Sequence, residues 1–203
     1  MLTIVNDISL EIGAGEAVAL VGASGAGKTT LLALLAGLDR PSAGQVWLCG
    51  QELTAMDEDG RAVLRGEYVG FVFQSFHLVS SLTAVENVML PLELVGDSGA
   101  RARAEEALSS VGIQDRMGHY PKQLSGGEKQ RVAIARAFVT GPKILFVDEP
   151  TGNLDTVSGN RVVDLLFKLN QQSNTTLVLV THDRTLASRC DRVLELEAGR
   201  LVA

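Results

Sequence analysis

Gly22-Ala23-Ser24-Gly25-Ala26-Gly27-Lys28-Thr29 follows the apolar run Ala17 to Val21 and leads into Thr30-Leu31-Leu32-Ala33-Leu34-Leu35-Ala36. A strand, a glycine-rich turn and a helix N-terminus in that order make a phosphate cradle. Backbone N–H groups wrap a polyphosphate only where the chain curls tightly and no Cβ blocks the approach. Gly22, Gly25 and Gly27 supply that freedom, with Ala23, Ser24 and Ala26 between them. The helix from Lys28 adds unpaired N–H groups and the positive end of its dipole. Lys28 would reach the β- and γ-phosphates, the Thr29 hydroxyl would ligate Mg²⁺, and Thr30 opens the helix behind them. The blander alternative, a turn capping an ordinary βα unit, would suit a lone GxGxxG. Here every fixed position of GxxxxGK[ST] is filled in a strand-to-helix context, which favours nucleotide binding.

The rest of the composition is that of an ordinary globular chain. Its 203 residues suit one substantial core. The formal net charge is −6, with acids and bases interspersed, so no nucleic-acid surface or polybasic membrane anchor is expected. Cys49 and Cys190 stand alone and read as buried or half-buried thiols in a reducing compartment. No apolar stretch is long enough to span a bilayer, and the first residues lack a basic then apolar leader, which makes the cytoplasm the default.

Along the chain, Leu2 to Ile12 alternates like a strand, and Gly37 is a plausible stop for the first helix. Val46 to Leu48 and Tyr68 to Phe73 read as strands. From Ser75 to about Lys122 the period becomes helical: Leu82, Val85, Val88 and Met89 share one face, and a second helix through Ala102 to Leu108 ends at Gly112. Alternation then resumes with a helix Gly126 to Val139, a strand Ile144 to Val147, a helix near Ser158 to Asn170 and a strand Leu177 to Val180. A hairpin of Val193 to Leu196 and Leu201-Val202, turning at Ala198-Gly199, closes the chain. The expected fold is α/β: a mostly parallel sheet covered on both faces, with an antiparallel β edge and an inserted helical segment.

Two further stretches carry chemistry. Ile144 to Val147 is an apolar strand ending in Asp148-Glu149, and a buried parallel strand delivers its C-terminal end to the ligand crevice of such sheets. Asp148 would hold Mg²⁺ through water beside Thr29, and Glu149 would polarise an attacking water as general base. In Leu124-Ser125-Gly126-Gly127-Glu128-Lys129-Gln130-Arg131, Ser125 and Glu128 form a capping box. The two glycines between them weaken a helix start unless something approaches the backbone closely, and a second phosphate group is the natural candidate.

Gly22 to Thr29, Gln74, Leu124 to Arg131, Asp148-Glu149-Pro150, Leu154-Asp155 and Thr181-His182-Asp183 occur in the order seen in ATP-binding-cassette (ABC) ATPase domains, and the resemblance covers essentially the whole chain. It implies a P-loop NTPase core of residues 1–74 and 140–203 and a helical subdomain of residues 75–139. By the same resemblance Gln74 senses the Mg²⁺ and water site, His182 touches the γ-phosphate, and Asp155 makes a contact across a dimer. Each ATP site would then form between two copies, pairing Lys28, Thr29, Asp148, Glu149 and His182 of one with Ser125, Gly126 and Gly127 of the other.

Gly70 to Leu78, Leu82 to Val88 and Thr151 to Asp155 resemble the branch serving lipoprotein release, macrolide export and cell division. That implies a membrane-spanning permease partner, a location on the cytoplasmic face of the inner membrane, and no nucleic-acid partner. Two other readings of the same motifs are a regulatory ATPase of the cell-division type and a relative acting on nucleic acid. Docking to a permease would use Phe76, Leu78, Val79, Leu82, Leu90 and Leu92, unless these build the insertion's own core. Residues 1–46 contain no Phe, Tyr or Trp, whereas family members carry an adenine-stacking aromatic upstream of the cradle. Weaker base discrimination is the expectation.

Overall fold

The computed structural model describes residues 3–202. Its main sheet has six strands in the order β4-β5-β6-β1-β7-β8. They are β1 (Ala17–Val21), β4 (Val69–Phe73), β5 (Ile144–Asp148), β6 (Thr176–Val180), β7 (Arg192–Glu197) and β8 (Arg200–Val202). All neighbours pair in parallel except β7 and β8, which form the antiparallel edge. The short β2 (Trp47–Leu48) and β3 (Gln51–Glu52) make a separate hairpin.

Helices cover both faces of the sheet. Leu145, Val147, Leu177 and Leu179 pack with α5 (Gly126–Phe138) and α6 (Thr156–Ser173) through Ile134, Val162 and Leu166. Phe146, Val178 and Val180 point the other way, against α1 (Lys28–Leu35) and α2 (Glu58–Tyr68) through Leu31, Leu32 and Leu64. This is why Ile144 to Val147 of β5 and Leu177 to Val180 of β6 are apolar at every position instead of alternating. A third core joins α3 (Ala84–Leu94), α4 (Ala100–Ser110) and α5 around Val88, Leu92, Leu108, Ile113 and Val132. Helix α5 belongs to both the first and the third core, so one rigid element ties the helical insertion to the sheet.

The strand register sets the site. Phe73 lies opposite Asp148, Asp148 opposite Val180, and Val180 opposite Leu20. Gln74, Glu149 and Thr181, which follow the first three, therefore leave the sheet along one edge, beside Val21 at the end of β1. That edge, at the carboxyl ends of parallel strands, is where such sheets bind ligands.

Several expectations need correction. Of the span Leu2 to Ile12, Leu2 lies outside the described residues, and residues 3–12 form no regular strand. Val5, Ile8, Leu10 and Ile12 do cover the second core, so the alternation reports burial of one side without a ladder partner. Helix α2 was not expected. Gly60 and Gly66 dilute its period, although Asp57 caps it by accepting from the Gly60 N–H at 2.8 Å and Glu58 and Asp59 occupy its first turn. Leu92 is buried in the third core and is unavailable for docking. Cys49 is exposed rather than buried; Cys190 is half-buried, and desolvation pushes its thiol up to about 12.

Candidate functional site

The cradle begins where β1 meets Gly22. A Cβ there would sit 2.3 Å from the Leu196 carbonyl oxygen of β7, so the chain turns past its neighbour strand only because the residue is glycine. At Gly25 the reason differs: φ is +80°, and no atom lies within 4 Å of the place a Cβ would take, which leaves the tip of the loop open for a ligand. Together with His182, Arg184 and Glu195 to Ala198, residues Val21 to Ala26 line a cleft of about 560 Å³, with no Phe, Tyr or Trp among the described residues of its walls.

The groups with chemistry gather around the loop: Lys28 and Thr29 in the first turn of α1, Asp148 and Glu149 where β5 ends, and His182, which also lines the cleft. Lys28 donates from Nζ to the carbonyls of Gly22 (2.8 Å) and Ala23 (3.0 Å), which folds the ammonium over the loop. The Thr29 hydroxyl donates to Asp148 Oδ2 at 3.2 Å, so the first turn of α1 and the end of β5 bring two hard oxygen donors together. Burial pushes the Asp148 carboxyl up; the Thr29 bond opposes this, neighbouring Glu149 adds to it and Lys28 opposes it.

Glu149 takes φ +46°, uncommon for a side chain of its size, while its N–H donates to the Val180 carbonyl at 2.9 Å. This left-handed step turns its carboxylate off the strand and toward His182, whose Nδ1 lies 2.8 Å from Oε1. Contact through Nδ1 leaves Nε2 on the exposed side of the ring. Backbone strain of this kind clusters at functional positions.

Gln74 follows β4 and pairs with Asn153: Asn153 Nδ2 donates to the Gln74 carbonyl at 2.9 Å, and Gln74 Nε2 donates to Asn153 Oδ1 at 3.4 Å. Asp155 is the N-cap of α6, accepting from the Ser158 N–H at 2.9 Å. Its hydrogen bonds to Ser158 hold its carboxyl below the usual range.

Ser125 and Glu128 form the expected capping box. Ser125 N–H donates to Glu128 Oε2 (2.8 Å) and Glu128 N–H donates to Ser125 Oγ (3.3 Å), a bond pattern that holds the Glu128 carboxyl down. The glycines between them have an additional reason within the chain: a Cβ on Gly126 would press Leu154 at 3.1 Å, and one on Gly127 would press Ser158 at 3.3 Å. Among the described residues no hydrogen bond joins Ser125, Gly126 or Gly127 to the cradle, and their neighbours are Leu154, Ser158 and Glu128. A single chain thus brings together Lys28, Thr29, Asp148, Glu149 and His182, and sets Ser125, Gly126 and Gly127 elsewhere.

Two residues around the site were not found by sequence reasoning. Asn87 is fully buried on α3 and holds Val79, Leu82 and Thr83 through four hydrogen bonds. An amide in the middle of an apolar face was the available signal. Arg136 on α5 donates to the carbonyls of Phe76 and His77, and nothing in its local spacing marks it.

The family model for the ABC transporter matches residues 5–152. The chain belongs to that family. A relative in Escherichia coli (strain K12), the uncharacterized ABC transporter ATP-binding protein YbbA, is 55% identical over 202 residues, covering 98% of this chain and 89% of its own. The lipoprotein-releasing system ATP-binding protein LolD of Pseudomonas syringae pv. tomato is 50% identical over 204 residues, covering 99% and 89%. Among solved structures, the dimeric post-hydrolysis state of the ATP-binding cassette MJ0796 bound to ADP and Pi superposes with a TM-score of 0.90 at 38% identity, covering 98% of this chain and 89% of that one. The ABC chain described here is an ATPase, the ATP-binding and ATP-hydrolysing subunit of a transporter.

Proposed function

We propose that the ABC chain works as a homodimer in which two ATP molecules are held between the cradle of one copy and the Ser125-Gly126-Gly127 tip of the other. Support comes from the split within one chain: the cradle side is joined by the bonds of Lys28, Thr29 and Glu149, whereas the helix tip packs on Leu154 and Ser158 and shares none of them. The dimeric cassettes of MJ0796, 38% and 39% identical to this chain, fit the same reading. The helical insertion of residues 75–139 would carry the tip and would itself meet a membrane permease, placing the dimer peripherally on the cytoplasmic face of the membrane. The naming of the LolD relative for a lipoprotein-releasing system favours a permease of that branch.

The residues present fit Mg²⁺, because Thr29 Oγ1 and Asp148 Oδ2 offer hard oxygens 3.2 Å apart beside the cradle. Bound there, the ion would neutralise phosphate charge. The chain's own groups do the rest. The loop from Gly22 to Gly27 and the N-terminus of α1 orient the phosphates, and Lys28 moves from two backbone carbonyls to the β- and γ-phosphates. Glu149 accepts a proton from the attacking water, His182 steadies that carboxylate through Nδ1 and presents Nε2 outward, and Gln74 reports occupancy to the insertion. Recognition through the described residues rests on phosphate, since no Phe, Tyr or Trp lines the cleft to stack on a base and the His182 ring is engaged with Glu149.

The observation that carries the mechanism is the Glu149–His182 pair at 2.8 Å on the strand ends next to Thr29 and Asp148. Glu149→Gln keeps the side-chain shape and the left-handed step but removes the base. Hydrolysis should fall by about two to four orders of magnitude, and ATP should now hold the dimer together in light scattering. A variant that stays monomeric with ATP and hydrolyses at the normal rate refutes the assignment.

A further inference from the structure

Phe76 and His77 are consecutive residues with φ +61° and +48°, a left-handed pair that ordinary side chains avoid. They sit in the turn after Gln74, with the His77 ring stacked on Phe73 at 4.7 Å between centroids. What holds the turn comes from α5. Arg136 Nη1 donates to the His77 carbonyl at 2.7 Å and Nη2 donates to the Phe76 carbonyl at 3.0 Å. Among the described residues no carboxylate pairs with Arg136, and its desolvation is unrelieved by any neighbouring acid. A planar fork of donors is thus spent on two backbone oxygens, a geometry lysine cannot reproduce.

The same helix grips the strand end higher up. Gln130 is fully buried, and its Nε2 lies 3.5 Å from the Phe73 carbonyl. Between these grips α5 is buried through Val132, Ala133, Ile134 and Ala135, so it moves as one body. Its N-terminus is the Ser125-Gly126-Gly127 tip. From Gly126 to Arg136 is ten residues, about 15 Å of helix.

We infer that Arg136 is a positioning residue that makes α5 a rigid link, passing the state of the Ser125-Gly127 tip to the Phe76-His77 turn and so to the segment from Gln74 to Leu82. The inference rests on the two-chain ATP site proposed above. It assigns the transmission to one guanidinium and two carbonyls outside the nucleotide-contacting groups. When the tip closes on ATP, the turn is drawn with α5; when the fork is lost, the left-handed pair relaxes and the segment no longer follows.

Hydrogen exchange of the full chain carrying Glu149→Gln, with and without ATP, reads both ends of the link. ATP should slow exchange in peptides covering residues 124–131 and 74–82 together. Adding Arg136→Gln should keep the slowing at 124–131, abolish it at 74–82, and raise exchange at Phe76 to Leu78 without ATP by about tenfold or more, as expected for loss of charge-assisted hydrogen bonds. Arg136→Lys should give an intermediate response, and it carries the same comparison if the glutamine variant does not fold. An undiminished ATP response at 74–82 in the folded variants overturns the link. Absence of slowing at 124–131 in Glu149→Gln alone overturns the two-chain site instead, and the exchange at Phe76 to Leu78 without ATP then decides whether Arg136 holds the turn.

Discussion

Replacing Asn87 by leucine should loosen the loop before α3 without touching the nucleotide site. Asn87 Oδ1 accepts from the Val79 N–H at 2.7 Å, and Nδ2 serves the carbonyls of Val79 (3.1 Å), Leu82 (3.1 Å) and Thr83 (2.9 Å). Leucine has the same number and branching of side-chain heavy atoms, so no cavity opens, while its bulkier methyl groups add overpacking strain to the loss of the bonds. The loss is one acceptor and one donor group shared among four backbone partners, in a side chain with no solvent exposure. Nδ2 has two hydrogens for three carbonyls, so about three full bonds are lost, and at about 1 kcal/mol net per bond their loss should destabilise the variant by about 3 kcal/mol. For a chain of this length that lowers Tm by roughly 6 to 12 °C. Differential scanning calorimetry measures the shift, and ATP binding by fluorescence titration should stay within about twofold. A Tm within about 2 °C of the parent would show that the loop holds its own shape and that the bonds of Asn87 contribute little.

Two other outcomes follow from named contacts. Glu58 is held down to about 2, first by its bond to Arg61 and then by Arg65 at 2.7 Å, so the stabilisation it gives is present above the ordinary glutamate range and is lost as pH falls toward about 2. Urea midpoints of the parent should accordingly exceed those of Glu58→Gln at pH 7, with the gap closing progressively below pH 4.5; a constant gap would contradict the assignment. Gly152→Ala would place a Cβ 2.5 Å from Gln74 Nε2, and since that atom ends a flexible side chain it should swing away at little cost in stability. Hydrolysis should fall about ten- to a hundredfold from the misplaced amide, with Tm nearly unchanged; full activity would mean that the position of Gln74 is immaterial.

The sequence made the parallel core and the cradle legible for physical reasons. Ile144 to Val147 and Leu177 to Val180 are apolar without alternation, which only strands buried on both faces require, and the cradle announces itself through a backbone demand that few residue types meet. Helix α2 was hidden because its stabilisation is carried by the Asp57 cap and the Glu58 ion pairs rather than by an apolar stripe. The segment before β1 misled for the opposite reason, since its apolar residues cover a core without pairing. Motif order pointed to Glu149 and His182, but the left-handed step that joins them depends on the neighbouring Val180 carbonyl and has no local signature. The same holds for Asn153 against Gln74 and Arg136 against the Phe76-His77 turn. Each joins residues more than fifty positions apart, where spacing along the chain carries no information.

Strand β5 shows what kinds of inherited change this architecture tolerates. Since Leu145 and Val147 fill one core and Phe146 fills the other, almost any apolar residue of suitable volume keeps the strand buried. An insertion or deletion of one residue would also keep it apolar, but would carry Asp148 about 3.3 Å along the strand axis. That displacement is as large as the 3.2 Å separating Asp148 from the Thr29 hydroxyl. Lineages of this chain are therefore free to vary the letters of the strand and are held to its length, because the number of residues between Lys143 and Glu149 acts as a ruler for the site.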